Sequence, residues 1–137
     1  MRTALLFGGL LLGVLVAGCA SDALYTVCDD PAQCGSRTIR EDGEEYEVDL
    51  ECVQVTVMVA PDRTTDGAFC TLACTSDADC RSRIGLPRGR CIQLEGDTEA
   101  FCYQPCDGGV ACYPSSACET IVVDGADARV CLPTQAP

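Results

Sequence analysis

Residues 70–106 read CTLACTSDADCRSRIGLPRGRCIQLEGDTEAFCYQPC, and the spacing of the six cysteines in this stretch decides the fold class. Cys74 and Cys80 are separated by five residues and are followed by Cys91 and Cys102. The same order recurs upstream, with Cys28 and Cys34 then Cys52 and Cys70, and downstream, with Cys106 and Cys112 then Cys118 and Cys131. Three residues separate Cys70 from Cys74 and three separate Cys102 from Cys106, while the dipeptide Phe69-Cys70 returns 32 residues later as Phe101-Cys102. Self-similarity at this period identifies a tandem array before any single element is considered. The chain therefore divides into cysteine unit 1 (28–70), cysteine unit 2 (71–102) and cysteine unit 3 (103–131), followed by a short C-terminal tail (132–137).

Each unit closes with the pattern of a β-hairpin, two runs rich in β-branched and aromatic residues around turn-forming ones. In unit 2, Arg90 to Leu94 and Ala100 to Tyr103 flank Glu95-Gly96-Asp97-Thr98; in unit 3, Thr120 to Val123 and Ala128 to Leu132 flank Asp124-Gly125-Ala126-Asp127. Unit 1 is longer. Tyr46, Val48, Leu50 and Cys52 alternate with charged residues, then Val53, Val55, Val57 and Val59 alternate with Gln54, Thr56 and Met58, so the apolar phase slips by one residue at Cys52-Val53. Such a slip predicts a bulge or a change of face. Pro61 to Gly67 is expected to turn the chain back towards Phe69.

Units of this size sit near the limit of about 40 residues below which a domain usually needs cross-links. About one residue in ten beyond position 18 is cysteine, the density of a disulfide scaffold. Trp is absent and the chain has only three Phe and four Tyr, and the apolar fraction of 47% overstates the core because it counts the leader and every cysteine. The expected fold class is small and disulfide-rich, mostly β-hairpins and loops, in three tandem four-cysteine units.

Composition also removes functions. The chain carries 21 acidic and 9 basic residues and a formal charge of −12, which argues against nucleic acid as a partner because duplex binding needs a basic surface. Every basic residue is Arg, so a lysine Schiff base, a P-loop lysine, a histidine triad and a histidine zinc site are all excluded. No two cysteines are spaced as in a thioredoxin-like motif. With no base, nucleophile or metal constellation in view, the expectation is a protein that is not an enzyme and uses no cofactor.

The leader supplies the compartment. MRTALLFGGLLLGVLVAGC, Met1 to Cys19, sets Arg2 before an apolar run from Ala4 to Ala17, shorter than the roughly 20 residues of a membrane span and matched to a signal-peptide core. Its ending, Val16-Ala17-Gly18-Cys19, resembles the lipobox of bacterial lipoproteins. That resemblance implies a signal peptide at 1–18, acylation of Cys19 with diacylglycerol and palmitate-type chains, cleavage in front of it by signal peptidase II, and a lipidated tether at 19–27. An ordinary secretory signal cut near Ala20 or Ala23 and an uncleaved N-terminal anchor are the competing readings. Parity favours the lipobox: 13 is an odd number of cysteines, and setting Cys19 aside leaves twelve that can pair completely. Ala20 and Ser21 follow Cys19, with no Asp, which in enteric-type sorting resembles an outer-membrane rather than an inner-membrane destination. The expected location is the cell envelope, reached through the lipid, with an unknown protein or glycan partner.

Four cysteines allow three pairings, so spacing alone leaves connectivity open in each unit. Cys74-Thr-Ser-Asp-Ala-Asp-Cys80 and the run from Cys106 to Cys118 are similar to the knuckle of whey-acidic-type four-disulfide-core inhibitors, although that family's adjacent double cysteine is missing. The resemblance implies first-to-third and second-to-fourth bridges: Cys28 with Cys52, Cys34 with Cys70, Cys74 with Cys91, Cys80 with Cys102, Cys106 with Cys118, and Cys112 with Cys131.

Three clusters are candidate sites. Asp77 and Asp79, with Asp29, Asp30 and Asp107 at comparable places, offer oxygens to calcium, but no EF-hand loop surrounds them, and Ser76 and Asp79 have the spacing of a capping box. Glu41, Asp42, Glu44, Glu45, Glu47, Asp49 and Glu51 form an acidic run that reads as a solvated strand face. Arg81, Arg83, Arg88 and Arg90, around Ile84-Gly85-Leu86-Pro87, form the one basic stretch. This stretch is either the charge compensation of the acidic run, a grip for an anionic sugar or phosphate, or the bait loop of a protease inhibitor. The functional expectation is a membrane-anchored, non-enzymatic binding, adhesion or envelope-structural module, with an exported protease inhibitor using the 81–90 loop as the alternative.

Overall fold

The computed structural model describes residues 23–41, 43–80 and 88–134. The signal peptide and lipidated cysteine expected at 1–19, Arg81 and Arg83, Asp42 and the end of the tail lie outside the described residues. Nine strands form small antiparallel sheets, with no α-helix among the described residues.

In every unit the third and fourth cysteines stand opposite each other across a hairpin. Strands β3 (Glu51–Ala60) and β4 (Arg63–Thr71) pair Cys52 with Cys70 in register. Strands β6 (Arg90–Ile92) and β7 (Ala100–Tyr103) do the same for Cys91 and Cys102, and β8 (Ser116–Val123) and β9 (Ala126–Pro133) for Cys118 and Cys131. Directly opposed residues project to the same face, so each hairpin presents two sulfur atoms side by side. They are not joined to each other. The third cysteine takes the first and the fourth takes the second: Cys28–Cys52 and Cys34–Cys70, Cys74–Cys91 and Cys80–Cys102, Cys106–Cys118 and Cys112–Cys131. Each leading loop is thereby laid across the face of its own hairpin and held at two points.

The remaining strands decorate this frame. In unit 1, β1 (Ser36–Glu41) and β2 (Glu44–Asp49) form an extra hairpin between Cys34 and Cys52. Chain β5 (Ala73–Cys74) adds a third strand beside β7. No bulge falls at the phase slip predicted at Cys52-Val53, where Cys52–Cys70 and Val53–Phe69 are consecutive pairs of one ladder; the break lies just before it at Leu50, where β2 leaves β1 and β3 starts against β4. The turn expected over Pro61 to Gly67 is much tighter, because Ala60 already pairs with Arg63 and only Pro61 and Asp62 lie outside the ladder. A bulge between Met58 and Ala60 accompanies it. Likewise Asp124 and Gly125 alone turn β8 into β9, both at positive φ (51° and 77°), the geometry of the two-residue turn that Asp-Gly favours.

One core serves all three units. Leu24, Val55, Phe69, Leu72, Ile92, Phe101, Tyr103, Ile121, Val130 and Leu132 are buried in a single cluster with the bridges of units 1 and 2, and the rings of Phe69 and Tyr103 stand 5.2 Å apart. The segment before Cys28 joins in. Tyr25 donates its N–H to the Cys70 carbonyl, Cys70 donates to Thr26, and Val27 bridges to Phe69, which puts Leu24 fully out of solvent. Between units, the Thr71 hydroxyl donates to the Cys102 carbonyl, and the Thr65 hydroxyl, 2.7 Å from Pro133 O, donates across to unit 3. Few aromatics suffice because the bridges carry much of the load: on the chain-entropy model a closed loop of this length contributes roughly 3 to 4 kcal/mol.

Candidate functional site

The acidic residues at the knuckles face the backbone. Asp79 Oδ2 accepts from the Thr75 N–H at 2.7 Å, the Thr75 hydroxyl at 2.8 Å and the Ser76 N–H at 3.1 Å, and these bonds to its charged form hold its carboxyl below the usual range. Asp77 Oδ1 accepts from the Cys91 N–H at 2.7 Å, tying the knuckle of unit 2 to β6. Asp30 caps the 3-10 turn Pro31–Gln33 by accepting from the Ala32 N–H. Capping, one of the two roles open to these carboxylates from sequence, is what Asp30 and Asp79 do, while Asp77 makes a long-range tie to β6. Asp29 and Asp107 sit exposed at the corresponding knuckles of units 1 and 3.

Three sulfur triads invite a metal reading. Cys28, Cys34 and Cys70, then Cys74, Cys80 and Cys102, then Cys106, Cys112 and Cys131 each gather their sulfurs within 4.8 Å. Each triad is one bridge with a sulfur of its neighbour, the result of stapling both loop cysteines onto one hairpin face. A metal ligand must be a thiolate, and a bridged sulfur is not one.

The basic stretch is only partly described. Arg88 is exposed, and Arg90 is exposed on β6 opposite Tyr103. The base of the loop is closed by a bond from the Gly89 N–H to the Cys80 carbonyl at 2.9 Å. Along the acidic run, β2 pairs with β1, which places Arg40 at the register position opposite Glu45 and Arg37 opposite Val48. Another arginine joins two units, since Arg63 makes a two-pronged pair with Glu119 at 2.7 Å, raising the arginine's pKa and lowering the glutamate's.

What sequence reasoning missed is a groove. Met58 on β3 and Val122 on β8 are 66% and 69% exposed, large apolar side chains standing in water. Both line one depression of about 760 Å³, together with Val59, Pro61 and Leu94. Its walls come from three hairpins, one from each unit. A second trough of about 690 Å³ shares Leu94, Glu95 and Val122 with the first and continues it along the 93–97 turn and the tip of β8. The signals were there to read. Met58 occupies a polar-face position of an alternating strand, and Val122 stands between the inward-facing Ile121 and Val123. Alternation therefore aims both outwards, but nothing in the spacing brings β3 and β8 together.

Burial pushes the Tyr103 hydroxyl well above its usual pKa, with the nearby Asp97 charge adding to the effect, so it stays protonated. Among the described residues no helix is long and apolar enough to cross a membrane. Compared with known proteins, the chain matches no family model, no curated protein and no solved structure.

Proposed function

We propose that this protein is an envelope lipoprotein, cut in front of Cys19 and acylated there, whose disulfide-framed body is a non-enzymatic binding module. The observation that carries the binding role is the groove, where two of the largest exposed apolar side chains of the described residues, Met58 and Val122, share one depression. Scattered surface hydrophobes need no explanation, whereas apolar side chains gathered in a concavity mark an interaction site. The anchor is supported by the lipobox resemblance and by parity. The six bridges use all twelve cysteines after Cys19, which leaves that one thiol for the lipid.

An anchor at Cys19 keeps the body close to the bilayer. From Cys19 to the buried Leu24 is five residue steps, at most about 18 Å of extended chain. Metabolic labelling with a fatty acid tests the anchor: label and membrane association are both lost in Cys19→Ser, and unchanged membrane association in that variant refutes it. A photo-crosslinking residue placed at Val122 tests the module. A discrete adduct in native envelopes, missing when the same group is placed at the exposed Glu99, supports it, and adducts indifferent to position refute it.

The closed base of the 81–90 loop favours one further reading, that of a protease inhibitor presenting Arg88. Bridges at Cys80 and Cys91 and the Gly89 to Cys80 bond hold the loop ends, as a bait loop requires. Stoichiometric inhibition of a trypsin-like protease, lost in Arg88→Ala, supports it; rapid cleavage without inhibition rejects it.

A further inference from the structure

We infer that the groove takes an extended peptide segment whose central side chains are apolar and whose flanks carry Lys or Arg. The inference deepens the binding-module reading and rests on it. Three features of the groove define the occupant. The floor is apolar, through Met58, Leu94 and Val122. The rim is acidic: Asp77, Glu95, Asp97 and Asp124 line the second trough and Glu95 and Asp127 the first, with no arginine among the described residues lining either.

The third feature is backbone. Strands β3 and β8, which supply groove walls, are each hydrogen-bonded to a strand on one side only, whereas the outward N–H of Cys91 on β6 is already taken by Asp77. Strand edges of this kind pair with an extended segment, whose alternate side chains then point into the surface. An apolar floor selects the inward side chains by burial, and an acidic rim selects cations on either side and repels acidic segments. The body's strong negative charge extends that selection beyond contact distance.

The test uses the full-length oxidised protein and three labelled peptides followed by fluorescence anisotropy. The probe is Lys-Arg-Val-Leu-Val-Arg-Lys; the controls are Glu-Asp-Val-Leu-Val-Asp-Glu and Lys-Arg-Ser-Gly-Ser-Arg-Lys. The probe is expected to bind with one-to-one stoichiometry, more weakly as salt rises, and both controls at least about tenfold more weakly. Met58→Ser with Val122→Ser should weaken the probe roughly tenfold or more, and Glu95→Gln should weaken it less while flattening the salt dependence. These side chains are exposed, so the variants keep their fold, which intact mass showing six bridges and an unchanged circular dichroism spectrum would verify.

Equal binding of the acidic peptide overturns the charge assignment, and binding unaffected by the double variant overturns the site. Concentration-dependent self-association lost in Arg88→Ser gives the groove to a second copy and overturns the inference as well. In each case a position-specific adduct from Val122 would leave the binding-module reading standing, so the two failures are told apart.

Discussion

Units 1 and 3 hold the same four-cysteine frame and differ in what is inserted into it. Between the second and third cysteines, unit 1 carries residues 35–51, a whole additional hairpin, and unit 3 only residues 113–117. Unit 2 is intermediate, with the arginine stretch 81–90 at the same place. All three insertions leave and rejoin the frame at bridged cysteines, so their length does not disturb the core. The burial of the two regions makes the point: β2 is exposed along nearly its whole length, whereas β9 is buried at Val130, Cys131, Leu132 and Pro133. Bridges and the shared core make the frame, and the segment between the second and third cysteines is where the surface varies.

The comparison breaks most visibly if a bridge of the frame is removed. Cys34→Ala with Cys70→Ala opens the longest of the closed loops, a sequence separation of 36, and is expected to cost about 4 kcal/mol; Cys106→Ala with Cys118→Ala, separation 12, about 3 kcal/mol. Urea unfolding of both double variants gives the two values, and a larger loss in the shorter loop would contradict the ranking. Next comes the seam between the two units. A Cβ at Gly67 on β4 would lie 2.7 Å from the Cβ of Pro133 on β9, so Gly67→Ala should cost about 1–3 kcal/mol by overpacking, read as a lower urea midpoint with an unchanged slope.

A smaller effect is expected from the ion pair across the same seam. Glu119 is held below its ordinary value of 4.5 by the hydrogen bonds from Arg63, so its contribution is complete above that pH and is lost as the pH falls through the lowered value. Stability measured against pH should therefore drop on the acid side, and the drop should shrink in Glu119→Gln. The smallest change is expected from cutting the insertion out. Deleting residues 37–48 joins Ser36 to Asp49, which already face each other in the ladder, and leaves five residues between Cys34 and Cys52, as in unit 3. The expected loss is below about 1 kcal/mol because β2 is exposed along its length except at Val48, which is only partly buried against the core. A loss as large as that of a bridge would show the inserted hairpin to be part of the frame.

Local elements were legible where a short-range rule governs them. The Asp124-Gly125 turn, the alternation along β3, the hairpins of units 2 and 3 and the capping by Asp79 all follow from residues within a few positions of one another. The β1–β2 hairpin escaped because its partner strand, Ser36–Glu41, has no alternation to announce it, although the alternation from Tyr46 onwards marked β2 itself as a strand. The groove escaped because its walls come from three units and its decisive residues lie 64 positions apart, Met58 and Val122.

Taken alone, the amino-acid order established three tandem four-cysteine units, their hairpins and the absence of histidine and lysine chemistry, because spacing and composition are properties of the linear chain. Left to the tertiary structure were which cysteine meets which, the fusion of the units into one core, and the gathering of Met58, Leu94 and Val122 into one concavity. Four cysteines are compatible with three pairings; the cross-strand register sets the third and fourth side by side, and the path of the leading loop across that face decides which takes which. Contacts between distant segments depend on how hairpin faces pack, and packing acts on shapes that exist only after the chain has folded.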